Sequence, residues 1–318
     1  MRLAMLDIGS AAARLDIVDL ASPRMPRATW SVKSRTRLAE HTLPDGRVTE
    51  EGIADAERAV RHCVSAASDK PTEALIAYGT SAVRDASNGA RLRKRLGEAA
   101  GVRIGVLTPR DEAAVAYHAA RRWHGRSGRA MTTVDIGGGT VDVATGTGTD
   151  PDVVVSLQHG AARLTRQFLP DDPPTPAQLA DLRHELHATI PKALRRVEGG
   201  HPLALSKVLR QLAVLTESSL DEVARRPHRL RLKHLSRWVP RLAELDHEER
   251  AKLPGVSRSR GRRILAGAIV AEVIMESLEL PELEICPWGL RQGLVYRFLE
   301  ARTRTRADAL DLVGTLFD

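Results

Sequence analysis

The sequence predicts an α/β protein made of two related halves with a cleft between them. Three observations carry that expectation. The stretch "LDIGSAAARLDIV" at 6–18 is matched in form by "VDIGGGTVDVATG" at 134–146, each an aspartate and a glycine-bearing turn between two short apolar runs. Each copy opens a region in which strand-like and helix-like patterns alternate. A chain of 318 residues is also longer than one core usually supports. The expected division is an N-terminal α/β domain, 1–125, and a C-terminal one with helical insertions, 126–318.

The elements follow in order. Residues 3–20 form two apolar runs around the first turn, and 28–38 offer a third strand, so the chain begins as a β-meander. From Glu50, the residues Ile53, Ala56, Val60, Cys63, Val64 and Ala67 recur at helical spacing, which makes Cys63 a buried core thiol. "EALIAYG" (73–79) is a buried strand, "VRIGVL" (102–107) a second, and an arginine-rich helix lies between them. "TPRDEAAVAYHAARRW" then starts a helix, with Thr108 as N-cap, Pro109 at the first helical position and Asp111 completing a capping box. After the polar connection "WHGRSGR" the strand, turn and strand return, followed by "DVVVSLQHG". The second half then turns helical, with a Thr-Pro cap at 175–176 and an amphipathic run "SRGRRILAGAIVAEVIMESL".

Composition narrows the function. Lys and Arg number 48 against 40 Asp and Glu, a formal charge of +8, which favours a polyanionic partner. With 3% aromatic residues there is little to stack single-stranded bases on, and no zinc-finger or RNP string is present, so no specific nucleic acid is expected. Cys63 and Cys286 are isolated, which excludes a disulfide framework and a thiolate metal site and fits a reducing cytoplasm. The longest apolar stretch, "ILAGAIVAEVIM", is too short to span a bilayer, and the N-terminus lacks a signal-peptide core, so no membrane association or export is expected.

The repeated turn carries the chemistry. Glycines between two strands allow successive backbone N–H groups to face an anion. An aspartate just ahead of such a turn can hold a divalent cation against a bound phosphate, and Asp7 and Asp135 both stand there. A lone copy reads equally well as a tight hairpin; two copies opening two halves favour the site. His184 and His187 in "HELH" lack zincin spacing and read as a solvated helix face. The basic runs "RLRKR" and "ARRPHRLRLKH" read as solvated faces that could also hold distal phosphates of a chain substrate.

On "DIGS", "GTSAVRDASN", "DEAAVAYHAARRWHGRSGR", "VDIGGGTVDV", "LQHGAARLTRQFLPDDPP", "GVSRSRGRRILAGAIVAE" and "LEICPWGLRQGL", the chain resembles the exopolyphosphatase and guanosine pentaphosphate phosphohydrolase (Ppx/GppA) family. The resemblance covers nearly the whole chain and is nearest to the shorter, actinobacterial-type exopolyphosphatases. It implies the two-domain actin-like (ASKHA, ribonuclease H-like) fold, a cytoplasmic homodimer, and a hydrolase assisted by Mg2+ or Mn2+ that releases terminal phosphate from inorganic polyphosphate. Carried over residue by residue, it makes Glu112 the general base. It makes Asp135 a metal-associated carboxylate, and Arg84, Gly137, Gly138, Gly139 and Thr140 a phosphate-binding set; the residues of this chain add Asp7, by its place ahead of the first turn, and Asp142 to the metal-associated carboxylates, and Gly9, Ser10 and Arg14 to the phosphate-binding set. Guanosine pentaphosphate is the alternative substrate. A catalytically impaired protein that binds polyphosphate or guanosine tetraphosphate is the alternative of another class, and an actin-like sugar or acetate kinase is disfavoured by the "DEA" and "SAVRD" strings. Each residue also has a plainer reading: Glu112 as a charge favourable to its helix dipole, Arg84 as a surface residue, Asp142 as a carboxylate outside the metal shell.

The chain departs from the family at informative places. Ala11, Ala12 and Ala13 replace the polar residues that usually follow the first D-x-G-S, and Arg14 stands where a histidine is usual. Ala204 and Leu205 replace a Gly-Thr pair, Pro109 a glycine and Ala114 an arginine. Side-chain hydrogen bonds to phosphate at 11–13 are therefore lost, each worth about 1.5–3 kcal/mol.

Overall fold

A computed structural model of the chain describes residues 1–21, 28–125, 128–217, 229–305 and 316–317. The chain divides into two compact units: Met1–Thr108 with Arg291–Asp318, and Pro109–Leu290. This differs from the expected 125/126 boundary, where residue 126 lies outside the described residues. Helix α4 (Pro109–His124) goes with the second unit because its buried face packs on that unit's sheet, and the chain returns to the first unit at Arg291.

In the first unit, β1 (Arg2–Ile8), β2 (Ala12–Asp19) and β3 (Ala28–Arg35) form the expected meander. Helix α1 (Glu50–Ala66), capped by the Thr49 side chain on the Gly52 amide, leads to β4 (Ala74–Gly79), which pairs in parallel with β1. After the short α2 (Ser81–Arg84) and α3 (Gly89–Ala100), β5 (Gly105–Val106) completes the order β3-β2-β1-β4-β5. The strand expected at 102–107 is reduced to these two residues. Cys63 is fully buried in this core, as its helical spacing predicts. The "RLRKR" run serves the fold: Arg91 pairs with Glu50 at 2.9 Å and Arg95 with Glu57, tying α3 to α1.

The second unit repeats the plan. Strands β6 (Met131–Ile136), β7 (Val141–Gly146) and β8 (Val153–Leu157) form a meander, followed by α5 (Ala161–Phe168) and α6 (Pro176–Ala193). Strand β9 (His201–Ala204) adds in parallel to β6, and α7 (Lys207–Glu217), β10 (Arg229–Arg231), α8 (Leu232–Glu244), α9 (His247–Arg250), α10 (Ile264–Ser277) and β11 (Glu282–Ile285) follow. The sheet order is β10-β11-β9-β6-β7-β8. Apart from the added edge strand β10, both sheets are three antiparallel strands followed by two parallel ones. That is the duplicated ribonuclease H-like, actin-like fold.

Three expectations resolve here. The Thr175 cap is a full capping box with Gln178. His184 and His187 lie on the exposed face of α6. The run expected to be amphipathic is instead a helix buried on all sides, with 12 of the 14 residues of α10 buried; α5, α6, α7 and α8 surround it. The basic run 224–234 falls partly outside the described residues, at 224–228. Among the described residues no helix is long and apolar enough to cross a membrane.

Candidate active site

Parallel strands gather their carboxyl ends at one edge of a sheet, where α/β proteins bind ligands. In the first unit this edge carries the turn after β1, the Thr80–Arg84 segment after β4, and Leu107–Thr108 after β5. In the second it carries the turn after β6 and the segment after β9.

The two turns share one geometry. In the second, the Gly137 N–H closes the hairpin on the Thr140 carbonyl at 2.9 Å. The carbonyls of Gly137, Gly138 and Gly139 accept from the amides of Ala161, Ala162 and Arg163, and Gly160, at 2.9–3.1 Å. These peptide bonds are trans, so each amide points opposite to the carbonyl of its own plane. The N–H groups of Gly138, Gly139 and Thr140 are thereby turned away from α5 as a row of donors for an anion. The first turn does the same without a helix. Gly9 N–H closes on Ala12 O at 3.0 Å, while Gly9 O, Ser10 O and Ala11 O accept from the Thr36 hydroxyl, the Ala39 amide and the Thr36 amide at 2.8–3.2 Å. Its outward donors are the amides of Ser10, Ala11 and Ala12. Alanine removes side-chain contacts there but leaves those donors in place.

The second unit concentrates the carboxylates. Asp135 and Asp142 are directly opposed across β6 and β7, and Glu112, in the first turn of α4, lines the same small pocket. Ala113, Ala116, Leu205 and Leu290 form its apolar walls. Burial, then the charges of Asp142 and Glu112, push the Asp135 carboxyl up to about 7, against the opposing pull of Arg260. The departure at Leu205 contributes to this, since a leucine wall solvates no charge. The Thr140 hydroxyl, expected to face phosphate, is buried and donates to Asp142 Oδ2 at 3.1 Å, so only its amide remains for a ligand.

Asp135 and Asp142 are the residues of this pocket that could hold a divalent cation. Oxygen donors suit Mg2+ or Mn2+, and crowded carboxylates that hold a proton near neutrality lack positive charge. Among the described residues no three or more such side chains are arranged as a ready ligand cage.

The remaining expected residues are more committed. Arg84 is bound to its neighbour, Nε to Asp85 Oδ1 at 2.8 Å, with a further bond to the Leu107 carbonyl at 3.4 Å. Arg14 donates from Nε to Asp16 Oδ1 at 2.8 Å, and Asp7 Oδ2 lies 3.4 Å from Arg291. The structure adds Arg260, which the sequence reading missed. Burial and then Arg263 lower its pKa to about 10, with Asp135 pulling the other way, and among the described residues it has no ion-pair partner. Its only signal was its place in the "SRSRGRR" string, far in sequence from the carboxylates it serves.

A model of the Ppx/GppA phosphatase family matches residues 20–302, a span that begins after the first turn. Exopolyphosphatase 1 of Mycobacterium tuberculosis is 37% identical over 309 residues, covering 95% of this chain and 89% of that protein. The crystal structure of the Aquifex aeolicus Ppx/GppA family member is 25% identical, with a TM-score of 0.79 over 96% of this chain and 99% of that one. An exopolyphosphatase structure from Cytophaga hutchinsonii, 20% identical, shares the fold with a TM-score of 0.82 over 94% of this chain and 98% of that one.

Two outcomes follow from the second turn. A Cβ at Gly160 would land on the backbone of Gly139, whereas one at Gly199 meets open space. Gly160→Ala therefore costs about 1–3 kcal/mol in urea unfolding, and Gly199→Ala leaves stability within about 0.5 kcal/mol. At about pH 8 in chelator, Asp135→Asn melts a few degrees above wild type because one of three crowded charges is gone. Adding Mg2+ raises the wild-type midpoint and leaves the variant's unchanged, as read by calorimetry.

Proposed function

Because the chain belongs to the Ppx/GppA phosphatase family, we propose that it is an exopolyphosphatase, hydrolysing the terminal phosphoanhydride of inorganic polyphosphate. The observation that carries this reading is the convergence of Glu112, Asp135 and Asp142 on one pocket in the unit whose glycine turn presents a row of outward amides. In this reading the terminal phosphoryl oxygens rest on the amides of Gly138, Gly139 and Thr140, and Arg260 contributes a fixed positive charge. Glu112 takes a proton from the attacking water as its oxygen bonds to phosphorus and the bond to the bridging oxygen breaks. The products are orthophosphate and a chain one unit shorter. Phosphoryl transfer asks the protein mainly for positioning and charge stabilisation, which amides and a guanidinium supply without rearrangement. A divalent ion at Asp135 and Asp142 would neutralise charge on the transferred group.

The alanines at 11–13 weigh less against activity than their side chains suggest, because the first turn's donors are backbone groups. The +8 formal charge favours a polymeric polyanion over a single nucleotide.

Phosphate release from short-chain polyphosphate, with and without Mg2+ and with guanosine pentaphosphate in parallel, tests the reading. Faster release from polyphosphate is the expected outcome. Faster release from the nucleotide reassigns the substrate, and tight binding of either without release makes the protein a sensor. Glu112→Gln lowers turnover by roughly two to four orders of magnitude while tripolyphosphate binding by calorimetry persists. Turnover near wild type in that variant removes Glu112 from the mechanism.

A further inference from the structure

The first unit holds a buried charge cluster that the proposed reaction does not use. Asp16, on β2, is completely buried. One of its oxygens accepts from Arg14 Nε at 2.8 Å, and the other faces Arg291 at 2.8 Å. The same Arg291 guanidinium reaches Asp7 Oδ2 at 3.4 Å and interacts electrostatically with the phenol of Tyr78. Tyr78 is buried on β4 in register with Asp7, and burial keeps its phenol protonated. Arg291 enters from the start of helix α11 (Leu290–Thr305). Arg14 and Arg291 thus face Asp16, and Arg291 also Asp7, which stands two residues before the turn whose amides of Ser10, Ala11 and Ala12 point outward.

This arrangement does not suit a divalent ion at Asp7. A guanidinium already supplies positive charge to its carboxylate, and a dication brought beside it would meet like charge in a poorly solvated place. Asp16 is sealed from solvent and shared by two arginines, so it offers no second ligand. A guanidinium held at Asp7, on the strand that leads into this turn, does suit a phosphate oxygen, and the side chain of Arg291 keeps 22% of its surface exposed.

We propose that Asp7 is a positioning residue: with Asp16 and Tyr78 it holds Arg291 beside the first turn as a fixed cation for a phosphate of the substrate, and it does not ligate a divalent ion. This rests on the reading of the chain as a polyphosphate-binding phosphohydrolase, but two of its three tests need no turnover.

Tripolyphosphate binding by the full chain, measured in chelator by calorimetry, weakens roughly tenfold to a hundredfold in Arg291→Lys, where the charge stays and the fork is lost. Asp7→Asn weakens it by a similar factor. The Mg2+-induced rise in melting midpoint, read without substrate, persists in Asp7→Asn while Asp135→Asn abolishes it. Where wild type turns over, Arg291→Lys raises KM and leaves kcat within about threefold. Asp16→Asn, which keeps the shape of the cluster, is the companion if Asp7→Asn folds poorly, and it gives the same pattern. Loss of the Mg2+ response in Asp7→Asn overturns the proposal, as does unchanged tripolyphosphate binding in Arg291→Lys. Absence of phosphate release in wild type overturns the hydrolase reading alone, since binding and melting still decide the role of Asp7.

Discussion

Peptide planarity organises both halves of this protein. A trans peptide fixes an amide opposite its carbonyl, so holding three successive carbonyls from one side aims three amides to the other. The segment after the third strand does the holding each time: Thr36 and Ala39 after β3, and the first amides of α5 after β8. In the second case the bond is reciprocal in effect, because the opening amides of α5, which no intrahelical carbonyl can satisfy, are satisfied by the turn. Gly160 makes that contact possible, since its Cα lies against Gly139 with no room for a side chain.

On this frame the two halves divide their labour by charge. The second unit places carboxylates behind its turn and surrounds them with apolar walls, so that Asp135 holds a proton far above the usual carboxylate range. That state is costly for the fold alone, and strongly perturbed carboxyls of this kind cluster at functional sites. The first unit keeps its carboxylates neutralised by arginines and leaves its turn to act through backbone groups. The same hairpin thus fronts a crowded carboxylate pocket in one copy and an ion-paired cluster in the other.

Much of this was legible from residue order. The duplicated strand and turn, the buried thiol of Cys63, the Thr175 capping box and the exposed histidines of α6 follow from short-range spacing, which reports local geometry. Reading "SRGRRILAGAIVAEVIMESL" as amphipathic failed because burial on all sides depends on four neighbouring helices, and no period within the segment records them. Arg260, Asp16 and Arg291 escaped for a related reason. Arg291 lies far along the chain from Asp7 and Asp16, and Arg260 far from Asp135, and an arginine looks the same in sequence whether it is solvated or locked to a buried carboxylate.

The sequence by itself determined the duplicated α/β plan, the two glycine-bearing turns, and the place of Glu112 in the first turn of its helix, because each depends on residues within a few positions of one another. Only the tertiary structure decided that Glu112 shares a pocket with Asp135 and Asp142, that Thr140 spends its hydroxyl on Asp142, and that Asp7 faces an arginine. Charge is additive in a sequence but pairwise in space: its effect falls with distance and grows with burial, and both are set only when the strands and helices have packed.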